Sequence, residues 1–253
     1  MLGAEMDLVK PAEVFHFAQS KIAAGGKAII ANHNLHSLYF IRHSEKMRRF
    51  YEIADLIEVD SIPIIAWARL IGRRSRTFHR CTYLDWREDF WRQASEKGWR
   101  VFFVGGADGV AVKAKQTICA RWPQAQLEVH HGYFRADADS AENQAVIGRI
   151  NAFKPDVILV GLGMPRQEAW VVDNYDRLER GVVFTVGGAF DYEAGVQWAA
   201  PRWTGRIGAE WAFRLVANPR RMFRRYCIEP WSLAGAAAAD LRATIDRRFG
   251  RRA

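Results

Sequence analysis

The sequence predicts an α/β fold: a mostly parallel sheet with flanking helices, followed by a C-terminal helical appendage. Three observations carry this expectation. Six short apolar runs recur between residues 27 and 188, separated by segments of helical periodicity; strands that alternate with helices build parallel sheets with right-handed crossovers. Most of the runs are β-branched or aromatic and apolar throughout, as strands covered on both faces are. After Asp191 the alternation stops, and the remainder reads as helices.

In chain order the runs are KAIIAN (27–32), IADLIEVD (53–60), RVFFVGG (100–106), QLEVHH (126–131), DVILVGLG (156–163) and GVVFTVGG (181–188). Helical patterns at 35–48, 62–72, 86–97, 109–121, 141–152 and 165–178 fill the gaps and follow the last strands' predecessors in turn. Asp139 or Ser140 can cap the helix that carries Val146, Ile147 and Ile150 on one face. Beyond the sheet, GAEWAFRLVA (208–217) reads as a helix, Asn218-Pro219 interrupts it and starts another, and SLAGAAAADLRATIDRRF is helix-prone.

The chain has 253 residues, 49% of them hydrophobic, which suits one α/β domain with an appendage. Cys81, Cys119 and Cys227 are scattered and odd in number, which argues against a disulfide framework and for a reducing compartment. The opening MLGAEMDLVKPAEV does not read as a secretion signal, and no stretch approaches the ~18 to 20 apolar residues of a spanning helix. Charge is uneven. From Pro201 onward there are twelve arginines and no lysine against four carboxylates, so the tail holds eight of the nine net positive charges. Trp198, Trp203, Trp211 and Trp231 lie near it. Arginine with tryptophan suits an anionic lipid surface, although a solvated basic face would look the same. Nucleic acid attracts the same charge, but no recognised groove-reading motif and no basic residues interleaved on the core accompany it, so no nucleic-acid partner is expected.

Three glycine turns end strands: Gly105-Gly106, Gly161-Leu162-Gly163 and Gly187-Gly188. Ligands of open parallel sheets bind beyond the carboxyl ends of the strands, where glycine lets backbone N–H groups approach a phosphate. None of the turns is a Walker A or a GxGxxG sequence. Asp60 ends the second run and reads either as a general base beside that crevice or as a helix cap. Asn32 and Asn34 end the first run; their amides suit sugar hydroxyls or a phosphate, with capping as the alternative for Asn34. Tyr133 suits stacking on a base or packing in the core, and Asp191 can accept hydrogen bonds from a ribose or uracil. Asp137-Ala138-Asp139 resembles a metal-holding DxD but sits where a helix begins, and the histidines His33, His36, His130 and His131 fit no common zinc spacing. No metal and no cofactor are expected.

HHGYF (130–134), KPDVILVGLGMPRQEAW (154–170), VGGAFDYEAG (186–195), APRW (200–203) and GAEWAFRLVANPRRMFRRY (208–226) resemble, in order and spacing, the motifs of the WecG/TagA/CpsF glycosyltransferases, glycosyltransferase family 26. The resemblance runs from about Ala28 to Tyr226. It implies a Rossmann-like core over 1–195 that binds a UDP-sugar, and a basic membrane-docking appendage over 196–253 that completes the site. It also implies an inverting, metal-independent transfer to a polyprenyl-diphosphate-linked sugar, in cell-surface or exopolysaccharide assembly, at the inner face of the cytoplasmic membrane. By position, Asp60 is then the base and Arg80, in HRCTYLDW, a catalytic diphosphate or acceptor ligand. Asn32, Asn34, Gly105, Gly106, Gly161, Gly163, Gln167, Gly187 and Gly188 would line the substrate site. Tyr133 and Asp191 would meet the uridine, and Arg214, Arg221 and Arg224 the diphosphate. Ser61 and Tyr83 stand where the family usually has glycine, and Asn32 where it often has threonine. Among family sugars, the HRCTYLDW stretch favours glucose, with N-acetylmannosamine as the alternative. A homo-oligomer stays open, as does a basic membrane- or nucleic-acid-binding protein without catalysis.

Overall fold

The structure, a computed structural model, describes residues 1–197, 210–217 and 219–249. Among them, six strands form one parallel sheet in the order β2-β1-β6-β5-β3-β4: β1 (Lys27–His33), β2 (Leu56–Val59), β3 (Arg100–Gly105), β4 (Gln126–His130), β5 (Val157–Gly161) and β6 (Gly181–Thr185). The helices of the core are α1 (Pro11–Ala23), α2 (Leu35–His43), α3 (Glu45–Glu52), α4 (Ile62–Leu70), α5 (Tyr83–Lys97), α6 (Val110–Arg121), α7 (Ala141–Phe153), α8 (Arg166–Asn174) and α9 (Ala189–Glu193). In the tail, α10 (Glu210–Ala217), α11 (Pro219–Phe223) and α12 (Ala234–Phe249) follow, with a π-helical turn over Arg224–Ile228 and a 3-10 turn over Glu229–Leu233.

Alternation along each strand divides the core in two. Ala28, Ile30, Val101, Phe103 and Leu159 pack under α1, α5, α6 and α9. Ile29, Ala31, Phe102, Val104 and Ile158 pack under α3, α7 and α8. Each large side chain so buried contributes about 1.5 to 3 kcal/mol of hydrophobic free energy. The buried indole N–H groups of Trp91 and Trp170 are satisfied by Tyr83 Oη (2.9 Å) and Asn143 Oδ1 (2.7 Å).

β1 runs one residue past its predicted run, to His33; the other strands lie within theirs, because the terminal glycines and polar residues turn out of the sheet. The run at 53–60 is shortened most: the first three residues form the turn after α3, where Asp55 Oδ2 accepts the Ile29 N–H at 2.9 Å. The helix predicted over 35–48 divides at Ser44, which is extended (φ −140°, ψ 123°) and accepts Met47 N–H on its hydroxyl. Serine competes with the helix backbone for hydrogen bonds and favours a cap over a helix interior. Helix α1 was not anticipated. Ser140, rather than Asp139, caps α7.

The last helix belongs to the wall beyond β2. Leu233 joins Leu2, Leu38, Val59, Ile64 and Ile65 in a third apolar cluster. Asp240 Oδ2 accepts both the Leu2 N–H (2.7 Å) and the Trp67 Nε1–H (3.0 Å). Asp240→Ala leaves two donors without an acceptor and is expected to cost about 2 kcal/mol, read as a lowered urea midpoint with protease cleavage advancing into 234–249. At the opposite edge, Glu128 on β4 is held from two sides, by Lys115 (3.0 Å) and Arg149 (2.9 Å). Charge placed along an open strand edge discourages pairing with another chain.

Candidate active site

The site begins with main chain. A Cβ on Gly105 would lie 2.4 Å from the Gly161 carbonyl oxygen, and one on Gly161 would lie 2.6 Å from that of Gly187. The ends of β3 and β5 and the turn after β6 therefore approach through main chain, with the Phe103 ring 2.7 Å from the same Gly161 position. Gly105 and Gly161 are glycine for steric reasons before any ligand is considered. Gly106, Gly163 and Gly187 differ: they have φ of +70°, +78° and +53°, and the turns at Gly163 and Gly187 have open space around them. Gly188 lies beneath Asp191, whose Oδ2 would be 3.0 Å from an added Cβ. Asp191 is half-buried, and desolvation raises its carboxyl above the ordinary range.

Three hydrogen bonds extend this rim to the β2 side. Asn32 Nδ2 donates to the Thr185 carbonyl at 2.6 Å, tying β1 to β6. Tyr51 Oη donates to the Asn32 carbonyl at 2.8 Å. Asp60 N–H donates to the His33 carbonyl at 2.8 Å, which brings Asp60 beside Asn34. Asn34 caps α2, its Oδ1 accepting from His36 and Ser37 N–H at 3.0 and 3.1 Å; the capping alternative is realised. The N-cap position of α4 is Ser61, whose side chain makes no capping bond.

Arg80 reaches the same place from outside the sheet. It forms a parallel bridge with Val59, the residue before Asp60, and Cys81 N–H donates to the Val59 carbonyl at 2.9 Å. Asp85 fixes the guanidinium with two bonds, from Nε at 2.9 Å and Nη2 at 3.0 Å. Tyr83, where a glycine was usual, takes a regular position at the start of α5, and its hydroxyl donates to Glu193 at 2.8 Å. Glu58, in register with Asn32, is buried. Burial first, and then the Asp60 charge, push its carboxyl well above the ordinary range.

At the other end of the rim, Gly132 N–H donates to the Gly106 carbonyl at 2.8 Å. Tyr133 follows it, 73% exposed, so the core alternative for this ring is excluded. Gln167 is buried. Its Oε1 accepts the Gly187 N–H at 3.1 Å and its Nε2 donates to Glu168 at 2.8 Å. The structure thus brings Asn32, Asn34, Asp60, Arg80, Asp191, Tyr133, Gln167 and the glycine turns along one edge. Of the tail residues, Arg224 is exposed and lies 3.9 Å from Glu229 Oε1, while Glu229 Oε2 is 2.5 Å from His36 Nδ1 on α2. A cavity of about 510 Å³ opens there, lined by His36, Tyr39, Pro165, Arg220, Arg224 and Arg225. Arg214 and Arg221 fall within α10 and α11, but their side chains, like the segment with Trp198, APRW and Trp203, lie outside the described residues.

Sequence reasoning passed over Glu229 and Glu168, and weighed His36 only as a metal ligand. Glu168 stands in the quoted PRQEAW segment, yet nothing in that string marks it as buried. It is 1% exposed, and desolvation pushes its carboxyl up to about 7. The folded chain therefore holds its proton more tightly than the unfolded chain. The associated stability is complete below the ordinary carboxylate range and is lost as pH rises through about 7. Glu168→Gln is expected to stabilise the protein at pH 8 relative to pH 5 by about 3 kcal/mol, measured as the difference between urea unfolding free energies.

A glycine-lined rim at the carboxyl ends of parallel strands, flanked by a carboxylate and a guanidinium, belongs to a Rossmann-like α/β fold. Residues 1–247 match the sequence model described as "Glycosyl transferase WecG/TagA/CpsF family", and the chain belongs to that family. Similar proteins include the N-acetylglucosaminyldiphosphoundecaprenol N-acetyl-beta-D-mannosaminyltransferases of Staphylococcus aureus strains NCTC 8325 / PS 47, COL and MSSA476. Each is 30% identical over 146 residues, 58% of this chain and 56% of the relative. The matched region thus spans just over half the length of those relatives.

Proposed function

We propose that the chain transfers a hexose from a UDP-sugar to a polyprenyl-diphosphate-linked sugar. The observation that carries this reading is the bridge between Arg80 and Val59, the residue before Asp60, beside a rim of glycine turns. The acceptor hydroxyl attacks the anomeric carbon, and its oxygen bonds there as the bond to the UDP β-phosphate oxygen breaks. Asp60 takes the hydroxyl proton, and UDP leaves with the electron pair. Arg80, held in place by Asp85, and the backbone N–H group at Gly163 stabilise the departing charge. Tyr133 stacks on the uracil and Asp191 accepts from the uridine. Arg224, with Arg214 and Arg221, closes on the diphosphate from the appendage.

Residues 1–195 form the catalytic core in this reading, and residues 196–253 the appendage that docks on the inner face of the membrane. No helix of the described residues is long and apolar enough to cross a membrane. Phe223 and Trp231 are 56% and 78% exposed in the same segment as the exposed Arg220 and Arg224. Apolar rings beside arginines suit an anionic headgroup layer. Replacing Phe223 and Trp231 together by Ala is expected to weaken flotation with anionic vesicles by at least about tenfold, with the fold intact by circular dichroism.

The relatives' name points to N-acetylmannosamine as the sugar, and the Arg80 segment to glucose. Incubating the protein with a panel of UDP-sugars and a polyprenyl-diphosphate-linked N-acetylglucosamine acceptor decides between them. Transfer of one hexose to the lipid fraction is expected; no transfer from any UDP-sugar, with UDP failing to bind, overturns the reading.

A further inference from the structure

We propose that Glu168 is a positioning residue, which sets the turn at Gly187 by fixing which end of the Gln167 amide faces it. The two ends of a carboxamide are nearly the same shape and opposite in hydrogen-bonding sense. Only the oxygen end can accept the Gly187 N–H. Glu168 Oε1 accepts the Gln167 Nε2–H at 2.8 Å, which turns the amide oxygen to the Gly187 N–H at 3.1 Å.

The place of this bond matters. Val186 N–H still pairs with the Val160 carbonyl at 2.8 Å. One residue later β5 has ended, and Gln167 supplies the acceptor that the neighbouring strand no longer offers. Gly187 then adopts φ +53°, the left-handed conformation that turns the chain toward the rim.

Glu168 is an expensive way to fill this position. Its Oε2 has no hydrogen-bond partner among the described residues, and burial holds its carboxyl far above the ordinary range. An apolar side chain of similar size would avoid that desolvation. What it could not do is orient the amide. A residue that breaks a local rule without stabilising the fold points to a functional constraint.

The proposal rests on the ligand crevice proposed above, but the turn can be tested without any ligand. The test compares the full-length wild type with Glu168→Leu, Gln167→Glu and the exchanged pair Gln167→Glu/Glu168→Gln, reading Gly187 amide exchange by NMR and UDP binding by calorimetry. Glu168→Leu should speed Gly187 exchange by at least about tenfold and weaken UDP binding by a similar factor, with exchange at Phe103 and Val183 unchanged. Gln167→Glu sets two carboxyls against each other and should do the same. The exchanged pair rebuilds the chain of bonds in reverse and should bring both readouts back to within about threefold of wild type. Unchanged Gly187 exchange in Glu168→Leu overturns the proposal. Should that variant fail to fold, the exchanged pair decides: no recovery relative to Gln167→Glu overturns it equally. Absence of UDP binding in the wild type refutes the ligand reading alone, and exchange still decides the positioning role.

Discussion

Asp60→Asn is expected to lower turnover by roughly 10² to 10⁴, the range a positioned general base contributes, while UDP affinity stays within about twofold. The amide is isosteric, and the Asp60 contact that anchors the strand end, its N–H to the His33 carbonyl, is main chain and survives. What is lost is the capacity to take a proton. Nearby Glu58 is buried, and burial holds its carboxyl well above the ordinary range. Single-turnover transfer to the lipid acceptor, set beside calorimetry with UDP, separates the two effects. Near-normal turnover would leave Asp60 without a chemical role.

Gly105→Ala is expected to be the most damaging single-methyl change in the protein, costing at least about 4 kcal/mol. The residue has φ +156°, and its new Cβ would lie 2.4 Å from the Gly161 oxygen and 2.5 Å from the Gly161 carbonyl carbon. Backbone cannot swing aside as a side chain can. Relief requires β3 and β5 to separate at their ends, where Phe103 and Phe190 also stack at 3.6 Å. The expected result is loss of soluble protein, or a fall in thermal midpoint well beyond 10 °C. A neighbouring control, Gly163→Ala, has open space around it and only the strain of φ +78°; it should remain soluble.

The sheet was legible because its strands carry a simple signature: Ile158, Leu159 and Val160 can only be buried on both faces. Register and strand order were not legible, since β5 lies between β3 and β6 through crossovers that no local pattern encodes. Among site residues, Asp60 and Asn34 each posed the same choice between cap and function; Asn34 caps α2, while the N-cap position of α4 falls to Ser61. Arg80 could not be placed beside Asp60 by sequence alone; an isolated bridge between distant segments does that. Glu168 and Glu58 look like ordinary surface carboxylates in a string of letters. Their burial follows from tertiary packing, which overrides the usual preference of acids for solvent.

The stretch where Gly105, Gly161 and Gly187 meet has one more implication, for how such proteins diversify. Peptide groups are the same in every sequence, so nothing in that zone can be altered by exchanging one side chain for another without jamming the strands. Any change in what the crevice accepts must therefore come at its periphery, at positions such as Asn32 and the cavity beside His36.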